Sequence, residues 1–409
     1  MERSRKTMCS AVLVLFGLML AGCGGGQSPS GTPSPTSLSQ SAGPPETQQP
    51  TQAPTPSSAP PLPSPSPLPS PAPVVHSVTF SAIGDILIHN TVYQDASKPD
   101  GSYDFKPMLK EVKDLLERSD IAIANQETVI GGSELGLSSY PLFNSPHEVG
   151  DALASIGISL VTTANNHAMD MGEKGIVSAA AHWRKIGMPY TGTFVSQEDR
   201  DTIRTLTKND ITFAFLAYTY GTNGIPVPRD KPYLVNLLDE DTIKRDIEEA
   251  RKKADVVVVS PHWGEENETV PSEAQKALAR RLADWGADII VGTHPHVLQP
   301  IVWLPREDGK RSLVMYSLGN FLSAQDQVRQ LIGGIAQIRV IKTTDSAGSS
   351  IELKDPAFIP TYNKYENFRR YQVIPIHLVS EEDAKRLAPH WKRIKESMLS
   401  SLPELTIVD

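Results

Sequence analysis

Five apolar runs in this chain end in residues that can hold an ion or move a proton. The first leads into Gly84-Asp85, with His89 just beyond; the second into Asn125-Gln126-Glu127; the third into Asn165-Asn166-His167, with Asp170 three residues on. Two later runs end in Ser260-Pro261-His262-Trp263-Gly264 and Gly292-Thr293-His294-Pro295-His296. Singly, each ending has an ordinary explanation: Asp85 as a cap, Glu127 as a solvated loop acid, His262 as a satisfied core histidine, Asn166 as a turn residue. Five together are hard to assign to capping. His294-x-His296 is the most pointed, because residues two apart on an extended segment face the same way and can grip one ion. Histidine, carboxylate and amide donors without thiolate suit Zn, Mn or Fe(II). Such ions polarise an ester or amide oxygen or make hydroxide available near neutral pH, so the expected chemistry is metal-assisted hydrolysis or group transfer.

The elements that must position these residues alternate. Val78 to Ile83, Ile121 to Ala124, Ser159 to Thr163, Ile211 to Tyr218, Val256 to Val259 and Ile289 to Val291 read as strands. Met108 to Arg118, Glu148 to Ile156, Glu173 to Ile186, Asp241 to Ala254 and Ser272 to Trp285 read as helices. Short, continuously apolar strands between helices indicate a sheet buried on both faces, hence an α/β fold. In such sheets ligands sit at the carboxyl ends of the strands, where the polar residues fall. Gly131-Gly132-Ser133 and Tyr220 to Gly224 read as mobile loops bounding a cleft. Ser380 to Leu399 reads as an amphipathic helix with Ser380 and Asp383 at its capping box, packing back on the domain.

The chain begins like an exported protein. Arg3, Arg5 and Lys6 precede an apolar stretch, Ala11 to Leu20, that is short for a membrane span and ends in Leu20-Ala21-Gly22-Cys23. This pattern resembles the lipobox of bacterial lipoproteins, so residues 1–22 are expected to be a signal peptide and Cys23 a lipidated N-terminus anchoring the protein outside the cytoplasm. The sequence has two cysteines, Cys9 and Cys23, which excludes a disulfide framework and cysteine-ligated metal in the folded part. Residues 23–75 are rich in Pro, Ser and Thr and predict a disordered tether, reaching at most roughly 150 Å at about 3.1 Å per residue. Residues 76–330 and 331–409 are expected to form one large α/β domain, the latter adding strands and a helix. The net charge of -8, without a basic run, argues against nucleic acid as a partner.

Gly84-Asp85, Asn125-x-Glu127, Ala164-Asn165-Asn166-His167-x-x-Asp170-x-Gly172, His262-Trp263-Gly264, Gly292-x-His294-Pro295-His296 and Tyr316-Ser317-Leu318-Gly319-Asn320-Phe321 resemble, in order, the CapA family of capsule or poly-gamma-glutamate biosynthesis proteins. That family falls within the calcineurin-like metallophosphoesterases. The resemblance implies a layered α/β sandwich with a buried sheet core and one or two divalent ions. It implies Asp85, Glu127, Asn166, His262, His294 and His296 as metal ligands, Glu127 in the bridging place, and His167 as the residue that steadies or protonates a leaving group. Asp170 either orients that imidazole or caps the following helix. His89, Asn125 and Asn320 are expected at the site's edge. Two features depart from the superfamily pattern: Ile86-Leu87-Ile88 replaces the D-x-H histidine after Asp85, and the second acid is Glu127.

The implied partners are an anionic surface polymer, poly-gamma-glutamate or another capsule, a membrane synthase complex, and the membrane itself through the lipid. The expected function is a metal-dependent hydrolase or transferase acting on that polymer; the alternative is a non-catalytic polymer-binding or export scaffold.

Overall fold

The structure, a computed structural model, describes residues 72–408. The expected leader, Cys23 and nearly all of the linker lie outside the described residues.

Among the described residues the strands form two sheets, where the sequence pattern suggested one. In the first, β1 (Val74–Leu87), β2 (Ile121–Gln126), β3 (Leu160–Thr162) and β4 (Tyr190–Thr191) lie parallel. β1 therefore takes in the last two residues assigned to the linker. In the second, β5 (Arg204–Lys208), β6 (Ile211–Thr219), β7 (Val256–His262) and β8 (Ile289–Val291) are followed by β9 (Ile301–Pro305) and β10 (Arg311–Met315). β6, β7, β8 and β10 are parallel, and β5 and β9 close the two edges antiparallel. The chain then returns to the first sheet. β11 (Asn320–Ser323) pairs parallel with the end of β1, and β12 (Ile332–Asp345), β13 (Gly348–Glu366) and β14 (Arg369–Pro375) extend that sheet antiparallel, with β15 (Thr406–Ile407) beside β13.

The run of four valines shows how the layers arise. Alternation along β7 sends Val256 and Val258 into the core between the sheets, with Phe80, Ile121 and Phe213. Val257 and Val259 face the opposite way, onto helices. Fully burying each valine is worth about 1.5–3 kcal/mol, so both faces contribute. The rings of Phe80 and Phe213 lie 6.1 Å apart, one from each sheet.

The first sheet's outer face is covered by α1 (Asn90–Asp95), α2 (Lys110–Glu117), α3 (Glu148–Ser155) and α4 (Gly172–Lys185); α5 (Gln197–Asp201) leads into β5. The second sheet's outer face is covered by α6 (Glu240–Arg251) and α7 (Glu273–Trp285). Ile243, Ile247 and Ala250 make the buried stripe of α6 at helical spacing. A capping box between Ser272 and Gln275 starts α7, and Gly286, at φ +115°, ends it. α8 (Glu381–Ser401) buries Leu387 and Met398 in the inter-sheet core, and Trp391 stacks 6.4 Å from Phe358. No helix among the described residues is long and apolar enough to cross a membrane.

One backbone contact fixes where the first sheet presents its acid. β1 shifts register against β2 between Ile83 and Asp85, and the Asp85 amide donates to the Gly319 carbonyl at 2.9 Å. A Cβ on Gly84 would stand 1.9 Å from that carbonyl oxygen, so only glycine lets the two backbones approach. Gly84→Ala is expected to lower unfolding stability by about 3 kcal/mol or more, as backbone rather than a pliable side chain blocks the added methyl. Urea denaturation checks this; an unchanged midpoint would remove Gly84 from the account.

Candidate metal centre

The carboxyl ends of β1, β2 and β3 from one sheet meet those of β7 and β8 from the other, and the expected residues converge there. At the end of β2, Glu127 is fully buried, its amide donating to Ile86 O at 3.1 Å. Asn125 donates from one nitrogen to Asp85 Oδ1 at 2.9 Å and towards Glu127 Oε2 at 3.4 Å, so it lies between the acids rather than at an edge. His296 spans the same two acids from the opposite sheet, with Nδ1 3.0 Å from Asp85 Oδ2 and Nε2 3.5 Å from Glu127 Oε1. On the far side of Glu127, His262 Nε2 is 3.7 Å from Oε1 and 3.0 Å from Asn166 Oδ1. The Thr293 hydroxyl, 2.8 Å from His262 Nδ1, fixes that ring. His294 lies 4.7 Å from His262 and 5.8 Å from His296, centroid to centroid.

The route by which His294 and His296 come together differs from the sequence reading. The segment is not extended: His294 has φ +99° and His296 φ +59°, so a left-handed turn after β8, not strand alternation, aims both rings inward. Such conformations cost a non-glycine residue on the order of 1–3 kcal/mol and persist where the surroundings enforce them.

His167 and Asp170 form a dyad. Asp170 Oδ2 lies 2.7 Å from His167 Nδ1 and accepts the Phe143 amide at 2.6 Å. It does not cap α4, whose N-cap is Met171 without a side-chain bond, so of the two roles left open it takes the orienting one. Beside a carboxylate Nδ1 carries the proton, and among the described residues no hydrogen bond engages Nε2. Asn165 pins the turn by donating to Gln126 O at 2.9 Å and accepting the His167 amide at 3.0 Å.

His89 and Asn320 flank the cluster. His89 Nδ1 is occupied by backbone, 3.0 Å from Leu87 O and 3.2 Å from the Ala324 amide, and its ring packs edge-on to Phe143, which in turn packs on His167. Among the described residues its Nε2 makes no hydrogen bond, and burial, with His296 and His167 nearby, lowers the ring to about 4. Asn320 is in register with Asp85, but its amide nitrogen is turned to Gln325 Oε1 and Gln330 O. The loops also part company. Gly131 and Gly132 are buried, with Gly131 bonded to Asn144, and do not border an open cleft. Half-exposed Tyr220 does roof the centre, its ring 4.9 Å from His294 and parallel to His262 at 6.3 Å. Asn223 reaches Asn166 at 3.3 Å. Phe143 and Thr293 were not singled out in the sequence: an amide donor and a hydroxyl in mixed surroundings leave no periodic mark.

Burial first, opposed by His296 and reinforced by Asp85, pushes the Glu127 carboxyl well above its usual range. Burial alone would depress His296, but Glu127 and Asp85 overcome it and hold the imidazolium up to about 9. The first shift favours a neutral Glu127 and the second presupposes its charge; both mean that the Asp85–His296–Glu127 row keeps protons that free groups would have lost. Burial, then the neighbouring histidines, lowers His294 to about 3 and His262 well below the ordinary value, which leaves their nitrogens as lone-pair donors.

A divalent cation fits this set. Glu127 Oε1 and His294 Nδ1 are buried without hydrogen-bond partners, an arrangement costing about 1–3 kcal/mol per unsatisfied group. One donor atom each from Glu127, His294 and His296 lie within 4.8 Å of one another, close enough for one ion.

A layered α/β sandwich with a histidine, carboxylate and amide cluster at the strand ends defines the class. The chain belongs to the bacterial capsule synthesis protein PGA_cap family, whose model matches residues 79–325. It is 35% identical over 192 residues to the PGA biosynthesis protein CapA of Bacillus subtilis (strain 168), covering 46% of this chain and 49% of that protein. It is 30% identical over 275 residues to the capsule biosynthesis protein CapA of Bacillus anthracis, covering 64% of this chain and 63% of that one. The chain thus spans about half of the first relative's length and less than two thirds of the second's. Among solved structures, the calcineurin-like phosphoesterase YfkN from Bacillus subtilis is similar at 15% identity and a TM-score of 0.37, covering 69% of this chain and 91% of that one.

Proposed function

We propose that this chain is a metal-dependent hydrolase or transferase acting on an anionic capsule polymer, of the poly-gamma-glutamate kind, at the bacterial surface. The observation that carries the reading is the convergence of Asp85, Glu127, Asn166, His262, His294 and His296 around two unsatisfied buried donor atoms. Glu127, His294 and His296 would hold an ion, with Asp85, Asn166 and His262 packed around them. A Zn, Mn or Fe(II) ion bound there supplies a Lewis acid for a phosphoryl or acyl oxygen. Asn125 keeps both carboxylates aligned. His167, held by Asp170, presents Nε2 to take or give a proton at the leaving group. Tyr220 narrows the approach and limits water over the histidines. The Leu-Ala-Gly-Cys23 signal supports lipid anchoring outside the cytoplasm, beside a membrane synthase.

The test is metal content of the full chain purified without chelator, with turnover of a phosphodiester and of a gamma-glutamyl anilide, beside His294→Ala/His296→Ala. About one or two ions per chain, and turnover that the variant loses, support the reading. No ion after reconstitution with Zn, Mn or Fe(II) sinks it; a bound ion without turnover of either substrate favours the scaffold alternative.

Metal uptake should depend on pH in a fixed direction. Since His296 keeps its proton up to about 9 and burial holds the Glu127 carboxyl above its usual range, an ion must displace the protons this row keeps, and apparent affinity for Zn should rise by about tenfold or more per pH unit below about 9. His262 and His294, already neutral, add no slope near pH 7. Competition titrations with a chelating dye at pH 7, 8 and 9 measure this, and a flat profile would contradict it.

A further inference from the structure

Beyond the metal centre, the structure has a groove of about 310 Å³ between α8 and the segment that follows His296. One wall is Val297 to Pro300, which continues directly from the histidine turn; the other is the face of α8 carrying His390, Arg393 and Ser397, and Arg329 lies at the groove as well. The loop before α7 ties the groove to the centre: the Asn267 amide donates to Pro295 O at 2.8 Å, and its side chain accepts from Gln330, next to Arg329, at 2.6 Å.

The charge of this groove opposes that of the molecule. The chain carries 47 acidic against 39 basic residues, yet no residue lining the groove is acidic. Many arginines here pair with carboxylates, among them Arg200 with Asp246, Arg251 and Arg306 with Asp288, and Arg204 with Asp199. Among the described residues Arg329 instead reaches the neutral Gln327 amide oxygen, at 3.1 Å, and no ion pair engages Arg329 or Arg393. Two guanidinium groups without counter-charge, over an apolar floor of Leu298 and Met398, make a site for carboxylates spaced along a chain with a partly apolar backbone.

We infer that this groove seats a strand of a carboxylate-bearing polymer, with Arg329 and Arg393 on successive acids, and feeds it past Val297 to the metal centre. The inference rests on the polymer reading for the strand's identity, while the preference for a carboxylate chain is the groove's own property.

The test uses the full chain and a fluorescein-labelled decamer of gamma-linked glutamate, read by anisotropy. An amidated gamma-linked decamer and a glycerol phosphate polymer of similar length serve as competitors. The expected result is saturable binding that the amidated chain does not displace, that the phosphate chain displaces poorly, and that weakens about tenfold in Arg329→Ala/Arg393→Ala. Metal content and thermal midpoint should not change in that variant, since both side chains lie at the surface of the groove. Equal binding by wild type and the arginine variant overturns the groove and leaves the polymer reading standing. Better displacement by the phosphate chain, or no binding of the glutamate decamer, overturns the carboxylate assignment. The His294→Ala/His296→Ala variant separates the two ideas: decamer binding retained after metal loss supports a groove distinct from the centre, and binding lost with the metal but kept in the arginine variant assigns the polymer to the centre alone.

Discussion

Glu127→Gln is expected to abolish tight metal binding while leaving the fold intact, with apparent affinity falling on the order of 100-fold or more. The size follows from position. Groups that merely orient a ligand cost about 10–100-fold when changed, and Glu127 faces His262 and His296 at once, with one oxygen unsatisfied. Glutamine keeps the volume and can still meet Asn125, so the substitution removes charge rather than packing. It also removes a carboxylate that burial already disfavours, and His296 keeps Asp85 as a partner at 3.0 Å, so the metal-free variant should still fold. Calorimetric titration with Zn or Mn, paired with thermal melts in chelator, reads both quantities. Affinity within a few-fold of wild type would place the ion elsewhere.

The second large effect belongs to the dyad. His167→Ala is expected to lower turnover by about 10²–10⁴-fold, the range for removing a positioned proton donor or acceptor, with metal content unchanged. Asp170→Asn should fall between wild type and that variant, because the imidazole remains while the carboxylate at 2.7 Å that fixes its tautomer is gone. The loss should be largest for substrates with poor leaving groups and shrink for nitrophenolate, which leaves without help. Equal losses on both would assign His167 to holding the metal instead.

The extent to which this site was legible in the sequence follows from its physics. The ligand set stood out because apolar runs such as Val256 to Val259 stop abruptly at histidines, and that contrast needs no tertiary information. Membership of those runs in two sheets was not legible. A strand buried against a second sheet carries the same continuous apolar pattern as one buried between helix layers, so Val256 to Val259 fits either. β12 to β14 were only roughly anticipated, since Gly333-Gly334 interrupt the first and β13 begins in exposed polar residues. His294 and His296 meet through a left-handed turn where an extended segment was expected, since either conformation can bring residues two apart together. Phe143 and Tyr220 act through tertiary contact alone, and His89 at a suggestive spacing is claimed by the backbone of Leu87 and Ala324.

The two-sheet construction makes any bound ion a clasp. Asp85 and His296 stand 211 positions apart, and Glu127 and Asn166 come from the first sheet while His262, His294 and His296 come from the second. Neither half of the chain alone carries a full ligand set. Loading the centre therefore locks the halves together, adding about 2.7 kcal/mol at a ligand concentration 100 times the dissociation constant. Loss of the ion would withdraw that contribution from the seam between the sheets and leave it to the apolar core alone.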